Sequence, residues 1–63
     1  MPLSDNITRL RVTDGKTIED VAEGARLPVA LVAGLESGRS SGSPKSLKAL
    51  AGYFGVSVDA LLR

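Results

Sequence analysis

The segment TIEDVAEGARLPVALVAGLESG, residues 17–38, decides the fold predicted for this chain. Its apolar residues recur at helical spacing on both sides of a break at residues 26–28. A capping-box pattern at Thr17 and Asp20 predicts where the first of the two helices begins. Pro28 fits the first position of the second helix, where its missing N–H costs nothing. Two short amphipathic helices with so short a connection must cross at a large angle.

The flanking segments predict three further short helices. A helix before the central pair is expected to be capped by Ser4 and to end at the turn residue Gly15. A fourth helix should follow the cap residue Ser43, with Pro44 at its first position, and should stop at Gly55. A last short helix should begin after a second serine cap, and no segment shows a convincing alternation typical of a strand.

Residues 1–63 are therefore predicted to form a single all-α domain of five helices. The length is less than half of a typical domain, and 43% hydrophobic and 24% charged residues are typical of a globular chain. The positions that keep the helical period predict its core. They are Ile7, Leu10, Val21, Leu31, Val32, Leu35, Leu47, Leu50, Phe54, Val58 and Leu61.

Composition excludes several kinds of function. The chain has no cysteine and no histidine. Their absence excludes the common zinc sites, catalysis by a Ser-His-Asp or Cys-His group, and general base catalysis by imidazole. We therefore expect no metal, no cofactor and no enzymatic activity. The longest apolar stretch, residues 27–35, is about half of the ~20 residues that span a bilayer, and residues 1–10 lack the basic and apolar regions of a signal peptide. These features predict a soluble, intracellular chain.

Four groups of residues follow one another at fixed spacing. They are Ile7-x-x-Leu10-Arg11; Gly15-x-Thr17-x-x-Asp20-Val21-Ala22; Val32-x-x-Leu35-Glu36-Ser37-Gly38-Arg39; and Leu47-x-x-Leu50-Ala51-x-x-Phe54-Gly55-Val56-Ser57-Val58-Asp59-x-Leu61-Leu62. In this order they resemble the Cro/CI-type, or lambda-repressor-like, family of helix-turn-helix domains, over about residues 4–62. The resemblance implies a five-helix DNA-binding domain with its helix-turn-helix at about residues 17–37. It also implies a dimeric transcriptional regulator in the cytoplasm, at the nucleoid of a bacterium or phage.

The resemblance also implies how double-stranded DNA would be bound. In related repressors the second helix of the motif, here residues 28–37, enters the major groove. Its base-facing positions would be Val29, Ala30, Ala33 and Gly34, which can offer methyl contacts at most. Residues 26–48 carry four cations against Glu36, whereas residues 14–23 carry four acids against Lys16. The phosphate contacts would come from Arg26, Arg39, Ser40, Lys45, Ser46 and Lys48.

Two structural roles follow from the same resemblance. Arg11 and Glu36 would form a partly buried ion pair that ties the first helix to the third. A weak homodimer would form through the C-terminal end of the chain. The dimer residues would be Val58, Ala60 and Leu61.

This sequence departs from the family pattern in the central segment. Members usually have glycine in the turn where Arg26 stands, and polar residues along the helix that reads DNA. An alternative is therefore a protein-interaction module, antitoxin-like or a co-regulator, that keeps the fold and docks a protein through its apolar third helix. The chain is also consistent with the N-terminal domain of a longer protein.

Overall fold

Five α-helices make up the part of the chain, residues 2–63, that the computed structural model describes. They are α1 (Pro2–Thr13), α2 (Ile18–Ala25), α3 (Val29–Ser37), α4 (Pro44–Phe54) and α5 (Val58–Leu62). No strand occurs in these 62 residues, so the predicted all-α class is confirmed. Met1 lies outside the described residues.

Serine and threonine caps fix the starts of three helices as predicted. The Thr17 hydroxyl accepts a hydrogen bond from the Asp20 amide at 3.0 Å, and the Thr17 amide donates to the Asp20 carboxylate at 3.0 Å. Ser43 caps α4 through the Ser46 amide, and Ser57 caps α5 through the Ala60 amide. Each bond satisfies an amide group that the helix itself leaves without a partner.

The Asp20 cap gives the fold a dependence on acid pH. Hydrogen bonds from the Thr17 amide, and then from its hydroxyl, lower the pKa of Asp20. A carboxyl group whose pKa is lower in the folded state stabilises the fold at pH values above its unfolded pKa of about 3.9. This stabilisation is lost as the pH falls through the pKa of the folded state. We expect wild type to be more stable than Asp20→Asn at neutral pH and the gap to close below about pH 4. Urea unfolding of both proteins at several pH values measures this difference in the free energy of unfolding. A difference that stays constant with pH would contradict the prediction.

Two predicted helix starts are wrong. Helix α1 begins at Pro2, so Ser4 is not its cap but lies inside the first turns with only 7% of its surface exposed. A proline at a first helical position is favourable, which lets α1 begin earlier than a serine cap would place it. Pro28 precedes α3 rather than starting it: its ψ of 141° is extended, and its carbonyl accepts from the Leu31 and Val32 amides. That is the backbone geometry of a cap residue.

All five helices contribute to one core. Six large side chains have no exposed surface: Ile7, Val21, Val32, Leu35, Leu50 and Leu61. All six were among the predicted core residues. The other five, Leu10, Leu31, Leu47, Phe54 and Val58, are only partly buried. A domain this small has too little volume to enclose every apolar side chain, and the small residues Ala22 and Ala51 complete the buried apolar set.

Asn6 joins the two ends of the described chain. Its side-chain amide donates to the Leu61 carbonyl at 2.9 Å, with longer contacts of 3.4 Å to the Ala60 and Arg63 carbonyls. Its side-chain oxygen accepts from Arg9 at 2.9 Å. The last carbonyl groups of a helix have no partner within it, so Asn6 on α1 supplies one for α5. No role was predicted for Asn6 from the sequence.

Candidate nucleic-acid interface

A turn of three residues, Arg26 to Pro28, joins α2 to α3. The Leu27 amide donates to the Ala22 carbonyl at 2.8 Å, and the partly buried Leu27 side chain packs against the core. The inner faces of both helices are held there by Val21 on α2 and by Leu35 on α3, both fully buried. The opposite face of α3 is therefore left open to solvent.

Arg26 is the one residue other than glycine in the described chain with a positive φ, at 58°. This left-handed conformation ends α2, and it is strained for any residue that carries a Cβ atom. We expect Arg26→Gly to raise the free energy of unfolding by up to about 1 kcal/mol. Urea unfolding measures it, with Arg26→Ala as the matched control because alanine removes the guanidinium but keeps the Cβ. An equal gain from both variants would show that the side-chain charge, and not the backbone, is responsible.

The outward face of α3 is small and apolar. Val29 is 45% exposed, Ala30 is exposed and Ala33 is partly exposed. Residues at spacings of three and four lie on one face of a helix, so these three side chains form one surface, which we call the α3 patch. Pro28 supplies no side-chain hydrogen bond to the first amide groups of the helix.

Gly34, predicted to be exposed beside these residues, is buried. The loop that follows α3 folds back over it: the Ser40 amide donates to the Gly34 carbonyl at 3.1 Å, and the Ser37 hydroxyl donates to the same oxygen at 3.1 Å. A Cβ atom at Gly34 would lie 3.5 Å from the Ser40 Cβ. The prediction that Gly34 faces the bases is therefore wrong, because its backbone packs against the loop.

Four exposed cationic residues lie before and after the α3 patch in the sequence. Arg26 lies in the turn before α3, Arg39 in the loop after it, and Lys45 and Lys48 on the first turns of α4. The Arg39 guanidinium donates to the Ser37 hydroxyl at 3.1 Å, which restricts the side chain near the end of α3. Lys45 and Lys48 are three positions apart and share one face of α4. We call these four residues the cationic border.

The two serines predicted to contact phosphate have local partners. Ser46 is only 3% exposed, and its amide, its hydroxyl hydrogen and its hydroxyl oxygen are all engaged with Ser43. No group of Ser46 is left for a phosphate, so that prediction is wrong. The Ser40 hydroxyl accepts from the Gly42 amide at 3.1 Å and keeps its own hydrogen for another acceptor.

Arg11 and Glu36 form a two-pronged ion pair between α1 and α3. Arg11 Nε lies 2.6 Å from Glu36 Oε2, and Arg11 Nη2 lies 3.0 Å from Oε1. The Thr8 hydroxyl also donates to Glu36 at 3.0 Å, and Arg11 Nη1 donates to the Lys16 carbonyl at 2.9 Å. The hydrogen bond to Glu36 raises the pKa of Arg11. The pair joins the C-terminal half of α1 to the C-terminal half of α3.

The C-terminal end offers a different apolar surface from the one predicted. Leu61 is fully buried in the core, so it cannot contribute to an interface, and that part of the prediction is wrong. Val58 and Ala60 are partly exposed, and the neighbouring Leu62 is 50% exposed. Leu62 borders a shallow, mainly apolar groove of about 250 Å³ between the start of α1 and the loop at residues 38–41. Leu61 instead belongs to the same buried cluster as Ile7 and Leu50.

Residues 2–63 bring together no group of three or more His, Cys, Asp or Glu side chains that could hold a metal ion. Each helix in this range falls short of the length and apolar character that a membrane crossing requires. The surface of the domain is instead that of a helix-turn-helix: two helices on a three-residue turn, the second with an open face.

Comparison with known proteins agrees with this architecture. The family model described as helix-turn-helix matches residues 7–61. The chain is also similar to the HTH-type transcriptional regulator DdrOP3 of Deinococcus deserti, at 34% identity over 62 residues, which are 98% of this chain and 48% of that protein. The chain thus spans about half the length of this curated relative. It belongs to the Cro/CI-type helix-turn-helix family, as the resemblance implied. This is a family of DNA-binding domains and not of enzymes.

Proposed function

We propose that this domain binds operator DNA as a weak homodimer and so regulates transcription. One observation carries the proposal: residues 26–48, the segment that contains the open face of α3, carry four exposed cations, whereas the acids of residues 14–23 lie before it. A polyanion is the partner that such a cationic segment suits. The relative from Deinococcus deserti is named a transcriptional regulator, which supports the same role here.

In the proposed complex, α3 lies in the major groove and presents the α3 patch to the bases. Arg26, Arg39, Lys45 and Lys48 contact the phosphates on either side, and the free hydroxyl hydrogen of Ser40 can donate to another. Few cations take part, so each domain alone should bind weakly, with a salt dependence set by those few phosphate contacts. Two domains on a two-half-site operator would add their contacts.

The proposed dimer uses Val58 and Ala60 together with the half-exposed Leu62, which takes the place of Leu61. These side chains are small or only partly exposed, and an interface built on them should be well below the usual size of a stable one. Association should therefore be loose without DNA and be completed on a palindromic duplex.

A fluorescence titration against duplexes selected from a random pool tests the proposal. We expect Arg39→Ala to weaken binding to all sequences alike and to flatten the plot of log K against log salt by ~0.9 per lost phosphate contact. Lys16→Ala is the matched control, because it removes the same charge from the acidic segment and should leave the slope unchanged. Binding that stops at one domain on a two-half-site duplex would contradict the dimer, and no binding to any duplex would contradict the proposal.

A protein-interaction module is the second candidate function, and the apolar character of the α3 patch is the observation that favours it. A protein partner docked on this patch would need no cations around it. The candidate would replace DNA binding if Arg39→Ala left the salt slope untouched while Val29→Ser abolished binding to a protein.

A further inference from the structure

We infer that the α3 patch recognises the C5-methyl group of pyrimidines, and that 5-methylcytosine can replace thymine at the positions it contacts. The inference rests on the proposed DNA binding and goes beyond it, because it names the chemical group that determines sequence preference. Its basis is the combination of an apolar, partly exposed helix face with a cationic border.

The exposed side chains of the α3 patch limit what can be read. Val29, Ala30 and Ala33 have no hydrogen-bond donor or acceptor beyond the backbone, and Gly34, the next candidate position, is buried under the loop. In the major groove, guanine, adenine and cytosine present only donors and acceptors at their edges, while thymine adds a methyl group. An apolar side chain gains free energy against that methyl group and loses it against a polar edge that is left without a partner.

The short side chains also require a close approach. An alanine side chain extends a single carbon from the backbone, so α3 must lie deep in the groove before Ala30 or Ala33 can touch a base. The cationic border can hold it there, because Arg26 precedes α3 and Arg39 follows it, and each can bind a phosphate on one side of the groove. The same cations favour DNA over an apolar protein as the occupant of the patch.

The methyl group is the shared chemistry, and it has two sources in DNA. Thymine carries it at C5, and cytosine carries it there once methylated. Removal of one contacted methyl group should weaken binding by about four-fold, the factor that corresponds to ~0.8 kcal/mol for a buried CH₂ group. Addition of one to a cytosine in the contacted position should strengthen binding by about the same factor.

The test uses a selected duplex in which single thymines are replaced by deoxyuridine, which lacks only the methyl group. A parallel series places cytosine or 5-methylcytosine at the same positions. We expect two or three positions per half-site at which deoxyuridine weakens binding about four-fold, and at which 5-methylcytosine binds more tightly than cytosine. The methyl group could strengthen binding in the thymine series but not in the cytosine series. That result would show that the thymine O4 atom is required as well as the methyl group. It would overturn the inference that 5-methylcytosine can replace thymine.

Variants separate a direct contact from an effect of DNA shape. Val29→Ser should reduce the methyl effect at one position, because it replaces an exposed apolar side chain with a polar one. Val12→Ser on α1, where Val12 is 61% exposed, is the matched control and should leave the effect unchanged. Arg39→Ala should weaken binding to both members of each pair and keep their ratio.

The outcomes distinguish this inference from the function on which it rests. Tight binding that is equal for thymine and deoxyuridine at every position would overturn methyl recognition and leave DNA binding intact. A methyl effect that survives Val29→Ser, Ala30→Ser and Ala33→Ser alike would assign the preference to DNA shape and also overturn the inference. Absence of binding to any duplex would overturn both.

Discussion

Leu35→Ala is expected to lower the free energy of unfolding by about 2–5 kcal/mol, the range for truncation of a buried leucine. Leu35 has no exposed surface and lies where α3 meets the core. Domains below about 70–80 residues rarely have more than ~3–5 kcal/mol of stability from one core. The variant should therefore be largely unfolded at room temperature, which far-ultraviolet circular dichroism would show directly.

Leu62→Ala is the matched control for this experiment. It deletes the same atoms from a side chain that is 50% exposed, so we expect a loss of less than about 1 kcal/mol. If Leu35→Ala cost less than about half of one kcal/mol, the effect of an ordinary surface substitution, Leu35 would not belong to the core.

Glu36→Gln should have the next largest effect, a loss of about 2–4 kcal/mol. The Glu36 side chain is 9% exposed and accepts hydrogen bonds from Arg11 and from Thr8. Glutamine keeps the size but offers one acceptor oxygen instead of two, and it places an NH₂ group beside the Arg11 guanidinium. Loss of one partner of a largely buried pair costs up to ~3–5 kcal/mol, because the other charge stays behind. The 18% exposure of the Arg11 side chain lets water reduce that penalty.

Urea unfolding of Glu36→Gln, Arg11→Met and the double variant measures the coupling between the two side chains. We expect the double variant to be less destabilised than the sum of the single variants. Glu23→Gln, on the exposed side of α2, is the control and should change stability by less than about 0.5 kcal/mol. Additive effects of the two single substitutions would show that the pair contributes no more than two separate side chains.

Most features that depend on neighbouring residues in the chain could be predicted from the sequence, although the starts of α1 and α3 were not. The caps at Thr17, Ser43 and Ser57 were predicted correctly because each involves a side chain and an amide three positions away. The six fully buried core residues were predicted because helical period alone separates the inner from the outer face of a short helix.

Features that depend on tertiary contacts could not be predicted in the same way. Gly34 is buried by a loop that turns back onto α3, and no periodicity in α3 indicates where that loop goes. Leu61 and Leu62 are adjacent apolar residues at the end of a short helix, so only the packing of α5 decides which of them is exposed. Ser46 was predicted to contact a phosphate because serine can donate a hydrogen bond to one. In the structure its amide and hydroxyl groups are instead hydrogen-bonded to Ser43 in the capping box.

Asn6 is a residue whose role the sequence indicates only in part. It stands beside Ile7 in a helix whose inner face is apolar, and a polar residue with 9% exposure needs a partner of its own. The partner lies 55 positions away along the chain, so the sequence could indicate the need for a partner but not its identity. The exposed positions of the cationic border, by contrast, follow from charge alone.

The hydrogen bonds from Asn6 also bear on the order in which the domain folds. A helix of five residues cannot persist alone in water, because its nucleation is unfavourable and it makes too few bonds to offset that. Helix α5 therefore depends for its stability on packing against α1 and against the neighbouring α4. Closing a loop of this length brings a large loss of chain entropy. The two termini should consequently gain and lose their structure together, as one cooperative unit, while the α2–α3 pair can assemble locally beforehand.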